Sequence, residues 1–306
     1  MLLVVLFQSV DWSRLSHLIL DLRWSNASLS TTLFLVFHGL NVLRWRWITA
    51  QPDISIWAFV KYYGAGQFSN NFLPTGFGGD AVRAALLSTR VSLPRATLSV
   101  TLDRGIGLLS LGVLCLLGIW LGWPPGLFHG VPAGILDASF FLVIAILFVG
   151  GAAAVFLWSR KPAFRGITEG LGRCFELVHM KEGNALSWRW LFGRFAGAYC
   201  CSVLSNLSLV LAFWSAIGAL GIVVAPGAAV WLVCAVFLSL LAPLTVNGLG
   251  LQEGVFVVVL GCYSVPIEAA LGIALFVRLL TLAFSALGGL LALWGTARLP
   301  TVSRAR

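Results

Sequence analysis

Apolar residues run along this chain in long blocks separated by short polar clusters, without the two-residue alternation of strands. A block of about 20 apolar residues crosses roughly 30 Å of hydrocarbon as a helix. In order, the blocks predict helices at 29–50, 96–123, 138–158, 190–220 and 266–295, with a shorter apolar run at 228–242. The segment 54–73 is also apolar but is broken by Lys61, Gly64, Gly66, Gln67, Ser69, Asn70 and Asn71, and it runs into LPTGFGGD. Pro74 removes a backbone donor and disfavours helix at Leu73, while Gly76, Gly78 and Gly79 permit tight turns. One helix should stop there and another start near Asp80. A second interruption, APLTVNGLGLQEG, follows the 228–242 run and carries Pro243, Asn247, Gly248, Gly250 and Glu253.

The two interruptions share a plan. In each, proline, small residues and glycines lead to a carboxylate, Asp80 or Glu253. About 25 residues later each is followed by an arginine inside the next long helix, Arg104 or Arg278, and those helices continue through GLLSLG and FSALGG. Lys61 before the first break and Arg83, Arg90 and Arg95 after it place both its ends on the cytoplasmic side, which makes the element re-entrant. Counting spans then puts the second break entering from outside. The expected fold is an all-α polytopic membrane protein with six to eight transmembrane helices and two re-entrant, broken segments arranged as inverted repeats, the plan of many transporters. Its single membrane domain, 1–306, divides into a first half (29–158), a basic cytoplasmic loop (159–189) and a second half (190–295).

Composition removes the soluble alternatives. With 59% hydrophobic and 10% charged residues and a mean hydropathy of +0.95, the chain has no polar stretch large enough for a soluble catalytic domain. The net charge of +9 is spread over short loops, which suits membrane topology and anionic lipid rather than nucleic acid. The expected location is a prokaryotic inner membrane, crossed several times, with the C-terminus and loop 159–189 cytoplasmic. Arg44-Trp45-Arg46-Trp47, at the end of the first full helix, suits the headgroup layer and reads as an anchor. MLLVVLFQSV has no basic region before its apolar run and reads as a partial first helix rather than a cleaved signal peptide. The six cysteines lack CxxC spacing and the four histidines are scattered. Neither a metal nor a cofactor is expected.

The chemistry must lie among the intramembrane charges Asp80, Arg83, Asp103, Arg104, Glu253 and Arg278. Each costs at least about 2.5–3.5 kcal/mol in the bilayer centre unless paired or wetted. They could pair with one another, as Asp80 with Arg83 or Asp103 with an arginine of a neighbouring helix. Arg83, Arg104 and Arg278, with helix starts after Gly79 and Gly250, suit a phosphate. Asp80 and Glu253 could cap the broken helices, receive a ligand amine or carry a proton. Asn70, Asn71 and Asn247 could satisfy backbone groups freed by the breaks.

NNFLPTGFGGDAVRAALL, SVTLDRGIGLLSLG, APLTVNGLGLQEG and ALFVRLLTLAFSALGG together resemble the transmembrane, flippase-like region of lysylphosphatidylglycerol synthases, over nearly all of the chain from Leu29 onward. The resemblance implies a membrane protein that moves a modified phospholipid, or a glycosyl or isoprenoid lipid, between leaflets. Its partners would be membrane lipids and a separate lipid-modifying enzyme. No aminoacyltransferase domain accompanies it, so lysyl transfer is not expected of this chain alone. Two other functions fit the residues: a transferase acting on a lipid-linked donor through the intramembrane carboxylates, and a non-transporting subunit docking through loop 159–189.

Overall fold

A run of long, short, short and long helices occurs twice. The computed structural model describes residues 21–73, 78–121, 188–241 and 246–296, together with Ser13. The first run is α1 (Trp24–Thr49, 26 residues), α2 (Ile56–Asn70, 15), α3 (Gly78–Ser88, 11) and α4 (Leu93–Trp120, 28). The second is α5 (Trp188–Ala219, 32), α6 (Pro226–Leu241, 16), α7 (Leu251–Gly261, 11) and α8 (Ile267–Thr296, 30), with a 3₁₀ turn at Val246–Gly248 before α7. At 1.5 Å per residue the long helices reach about 40 Å or more, and α2 and α6 only about 23 Å. The α4 helix and the segments Gly193–Ala219 and Ile267–Trp294 are long and apolar enough to cross a membrane, and α6 and α7 are short and apolar. The protein is an all-helical multi-pass membrane protein.

Side-chain contacts fix how the two runs meet. The α1 and α5 helices are antiparallel: Arg23 N–H bonds the Ala219 carbonyl at 2.8 Å, Ser30 Oγ donates to the Ala212 carbonyl at 2.8 Å, and Arg194 donates to the Trp47 carbonyl at 2.7 Å. The second helix of each run packs against the last helix of the other, α2 on α8 and α6 on α4. Where α2 crosses α8, a Cβ on Gly64 would lie 2.6 Å from the Gly288 Cα. The backbones touch there, as small residues allow in membrane helices. The first helices of the two runs lie antiparallel and the second helices exchange equivalent contacts, as an inverted repeat requires.

Each short pair folds back on itself. Asn70, at the end of α2, accepts a 2.8 Å hydrogen bond from the Gly79 N–H at the start of α3. A Cβ on Gly79 would sit 2.3 Å from the Gly66 carbonyl, so α3 returns against α2 only with glycine there. In the second half the chain turns through Asn247, Gly248 and Gly250 at φ of 49°, 69° and 80°. Glycine adopts this region freely and asparagine tolerates it. An apolar core of Phe213, Ile217, Leu232, Val233, Phe256, Leu260 and Ile273 fills the space between α5, α6, α7 and α8. Leu204, Leu238, Val258 and Leu290 are exposed on the outside, where lipid is an acceptable solvent.

Boundaries differ from the sequence expectation in three places. The first long helix starts at Trp24, because the end of the polar connector continues the helical turn. The α7 helix stands as a separate element, started by a capping contact that the apolar pattern does not display. Arg44 and Trp45 are 7% and 0% exposed, so they turn into the helix packing and do not serve as surface anchors; of the RWRW tetrad Trp47, 51% exposed, faces out. Helical rotation of about 100° per residue splits the four between inside and outside. The helix expected at 138–158, the loops 124–137 and 159–189, and Pro74 and Pro243 lie outside the described residues.

Candidate functional site

One face of α1 is polar at helical spacing. Ser30, Phe34, His38, Asn41, Arg44 and Ile48 are buried, each three or four residues from the next, while Leu29, Leu35, Val36 and Leu43 are exposed. The stripe therefore turns inward. Its deepest charge, Arg44, donates from Nε to Asp103 Oδ1 of α4 at 2.7 Å and from an Nη atom to Ser202 Oγ of α5 at 2.8 Å. Ser202 Oγ lies 2.6 Å from Ser110 Oγ, which accepts from Asn206 Nδ2 at 2.9 Å.

Asp103 is 2% exposed and holds a second arginine. Arg83 of α3 donates to Asp103 Oδ2 at 2.8 Å and reaches Asp80 Oδ1 at 3.3 Å. Its guanidinium carbon lies 4.2 Å from the Trp45 ring centroid and 5.2 Å from that of Tyr63, within cation–π range. Asp80 Oδ2 in turn accepts from Nε of Arg104. A continuous chain results, Arg44, Asp103, Arg83, Asp80, Arg104, drawn from α1, α3 and α4. Each of the four carboxylate oxygens carries an arginine, and one positive charge remains in excess. A buried charge of either sign costs several kcal/mol without a partner, so this alternation makes the set tolerable. Arg104 is the wet end, with 47% of its side chain exposed.

The corresponding pair of the second half has another arrangement. Arg278 donates to Glu253 Oε1 at 2.8 Å and to the carbonyls of Asn247 and Gly248 at 2.9 and 3.2 Å. Glu253 Oε2 accepts from the Gly250 N–H at 2.8 Å. Here carboxylate and arginine hold the broken backbone, whose carbonyls would otherwise lack partners at membrane depth. The two breaks also touch. Asn247 Nδ2 donates to Asn71 Oδ1, and Asn71 Nδ2 donates to Ser285 Oγ of α8.

A cavity of about 290 Å³ lies between the halves. Arg44, Arg83, Arg104, Asp80 and Asp103 line its charged end, with Asn70, Asn247 and Gly248 also on the wall. Phe34, Phe37, Leu108, Leu111, Phe237 and Leu240 line an apolar part. Of the residues singled out in the sequence, Asp80, Arg83 and Arg104 therefore share one wall. Glu253 and Arg278 pair beside the cavity, and Gly78, Gly79, Gly250 and Asn71 shape the breaks.

Sequence reasoning missed Arg44 and the hub position of Asp103 as site residues, as well as His38 and Tyr63. His38 stacks on Phe284 at 3.8 Å between centroids and lies 3.1 Å from the Tyr63 hydroxyl, which accepts from Gln67 at 3.0 Å. The signal that could have found them is the spacing of Ser30, His38, Asn41 and Arg44 along one apolar helix. Among the described residues no group of three histidines, cysteines or carboxylates is placed to hold a metal. The family model described as the lysylphosphatidylglycerol synthase TM region matches residues 1–289. Neither a curated protein nor a solved structure matches the chain.

Proposed function

The chain belongs to the lysylphosphatidylglycerol synthase transmembrane-region family, and from that premise we propose that it moves a phosphate-bearing lipid between membrane leaflets. The observation that carries this is the cavity, which joins a charged wall with one excess positive charge to an apolar wall, between two halves of opposite direction. An amphiphile fits such a space. Its phosphate engages Arg104 and the edge of Arg83, since guanidinium groups bind phosphate oxygens in a planar fork. Its acyl or isoprenoid chains lie against Phe37, Phe237 and Leu240.

Inverted repeats that meet at their breaks supply the mechanical element. Two near-equivalent packings of the halves would present the cavity to one leaflet and then the other. The Asn71–Asn247 contact sits where the two breaks touch, so opening on that side requires breaking it. Against a transferase stands the state of the cavity carboxylates: both oxygens of Asp80 and both of Asp103 are held by arginines, which leaves neither as a ready general base.

Reconstitution in liposomes with a fluorescent anionic phospholipid tests the proposal, with leaflet exchange read by quencher accessibility. Arg104→Ala is the informative variant, because its exposed side chain can be removed without emptying a buried pair. Exchange above protein-free vesicles, lowered about tenfold or more in Arg104→Ala, is expected from the loss of a charged phosphate contact. Wild-type exchange in that variant removes Arg104 from the headgroup site, and no exchange by the wild type overturns the transport reading.

A further inference from the structure

Resting on the lipid-moving reading above, we infer that the ligand's head group beyond the phosphate is uncharged and hydroxylated, a polyol or sugar, and not an aminoacyl or amine group.

The first ground is the state of the carboxylates. An ammonium brought into a low-dielectric cavity needs an anionic partner. Asp80 and Asp103 are the carboxylates lining this cavity among the described residues, and each of their oxygens already accepts from an arginine. Glu253 lies outside the lining, with its oxygens held by Arg278 and the Gly250 N–H. A cationic head group would meet three guanidinium groups and no carboxylate oxygen without an arginine. Like charges in such a site cost several kcal/mol.

The second ground is what the rest of the wall offers. Asn41 donates to the Phe37 carbonyl, Gln67 to the Tyr63 hydroxyl and Asn206 to Ser110 Oγ. The amide oxygens of all three have no protein partner among the described residues, and neither end of the Gln252 amide has one. All four residues line the cavity. Neutral acceptors with spare capacity, set around a site that has already been supplied with positive charge, are suited to hydroxyl donors. They provide nothing that balances an additional cation. A wall of this kind discriminates, because a ligand that fills the cavity without hydroxyls leaves these amide oxygens without a donor.

Binding by the purified full-length chain in detergent, read by native mass spectrometry, tests the inference without depending on transport. The probes are phosphatidylglycerol, a glycosyl phosphoisoprenoid, lysylphosphatidylglycerol, phosphatidylethanolamine and a phosphate-free glycosyl diacylglycerol. At least one of the first two is expected to bind about tenfold or more tighter than each of the last three, the scale of one unpaired charge or hydrogen-bonding group; which of them does so identifies the lipid backbone. Arg104→Gln frees Asp80 Oδ2 and removes the excess charge, so it is expected to narrow the preference over lysylphosphatidylglycerol about tenfold. Gln252→Leu is expected to weaken the hydroxylated lipids while leaving the amine lipids as they are. Equal or tighter binding of lysylphosphatidylglycerol or phosphatidylethanolamine by the wild type overturns the inference, as does equal binding of the phosphate-free glycolipid or an unchanged preference in both variants. Selective binding without leaflet exchange leaves this inference standing and removes the transport reading. Exchange without this selectivity does the reverse.

Discussion

Asp103 of α4 ties together three elements through its two carboxylate oxygens. Arg44 comes to it from α1 and Arg83 from α3, at 2.7 and 2.8 Å. Asp103→Asn leaves two buried guanidinium groups facing a neutral amide, and breaking a buried pair typically costs about 3–5 kcal/mol. The expected outcome is a marked fall in the detergent melting temperature and loss of folded protein on size exclusion. Arg104→Ala is the contrast. Its pair with Asp80 is exposed on one side, and such pairs contribute about 0–1 kcal/mol, so its melting temperature should stay close to wild type while lipid handling falls. A melting temperature lowered equally by both substitutions would contradict this division of roles.

At the scale of elements, the two hairpins use the same residues for different ends. In the second half, Glu253 and Arg278 close on the break and satisfy its backbone. In the first half, Asp80 and Arg104 face the cavity, and Asn70 satisfies the start of α3. Arg278→Gln is therefore expected to destabilise the fold by about 3–5 kcal/mol, seen as a lowered melting temperature, because it leaves Glu253 unpaired and two carbonyls with fewer donors. The α2–α3 hairpin depends on close backbone approach. Gly79→Ala places a methyl 2.3 Å from the Gly66 carbonyl, and since backbone cannot step aside cheaply, a loss of about 1–3 kcal/mol is expected. A thermal-shift measurement showing no loss would mean that α3 can stand away from α2.

Over the whole molecule, the halves meet along α1 and α5, at the Gly64–Gly288 crossing and at the Asn71–Asn247 contact. The last of these joins the two breaks directly, so it is where relative motion should be felt. With the native cysteines replaced by alanine, Asn71→Cys with Asn247→Cys should allow a short bis-thiol crosslinker to tie the breaks together. Leaflet exchange is then expected to fall to the protein-free level on crosslinking, while the uncrosslinked double variant retains it. Full exchange by the crosslinked protein would show that the breaks stay together through the cycle.

The sequence by itself determined the class, the repeat and most of the helices, because apolar block length and the spacing of proline, glycine and charge are local signals that a bilayer reads almost residue by residue. It also displayed Asp80 with Arg104, and Glu253 with Arg278, as matching positions of the two halves, but not that each carboxylate pairs with its arginine. It did not show that one pair faces a cavity while the other closes a backbone break, nor that Arg44 turns inward to Asp103 instead of anchoring at the surface. Those outcomes depend on which face of α1 meets α4 and α5, across separations of 59 residues for Arg44 and Asp103 and 176 for Asn71 and Asn247. Tertiary packing alone decided them, because in hydrocarbon a charge settles wherever the neighbouring helices bring it a partner.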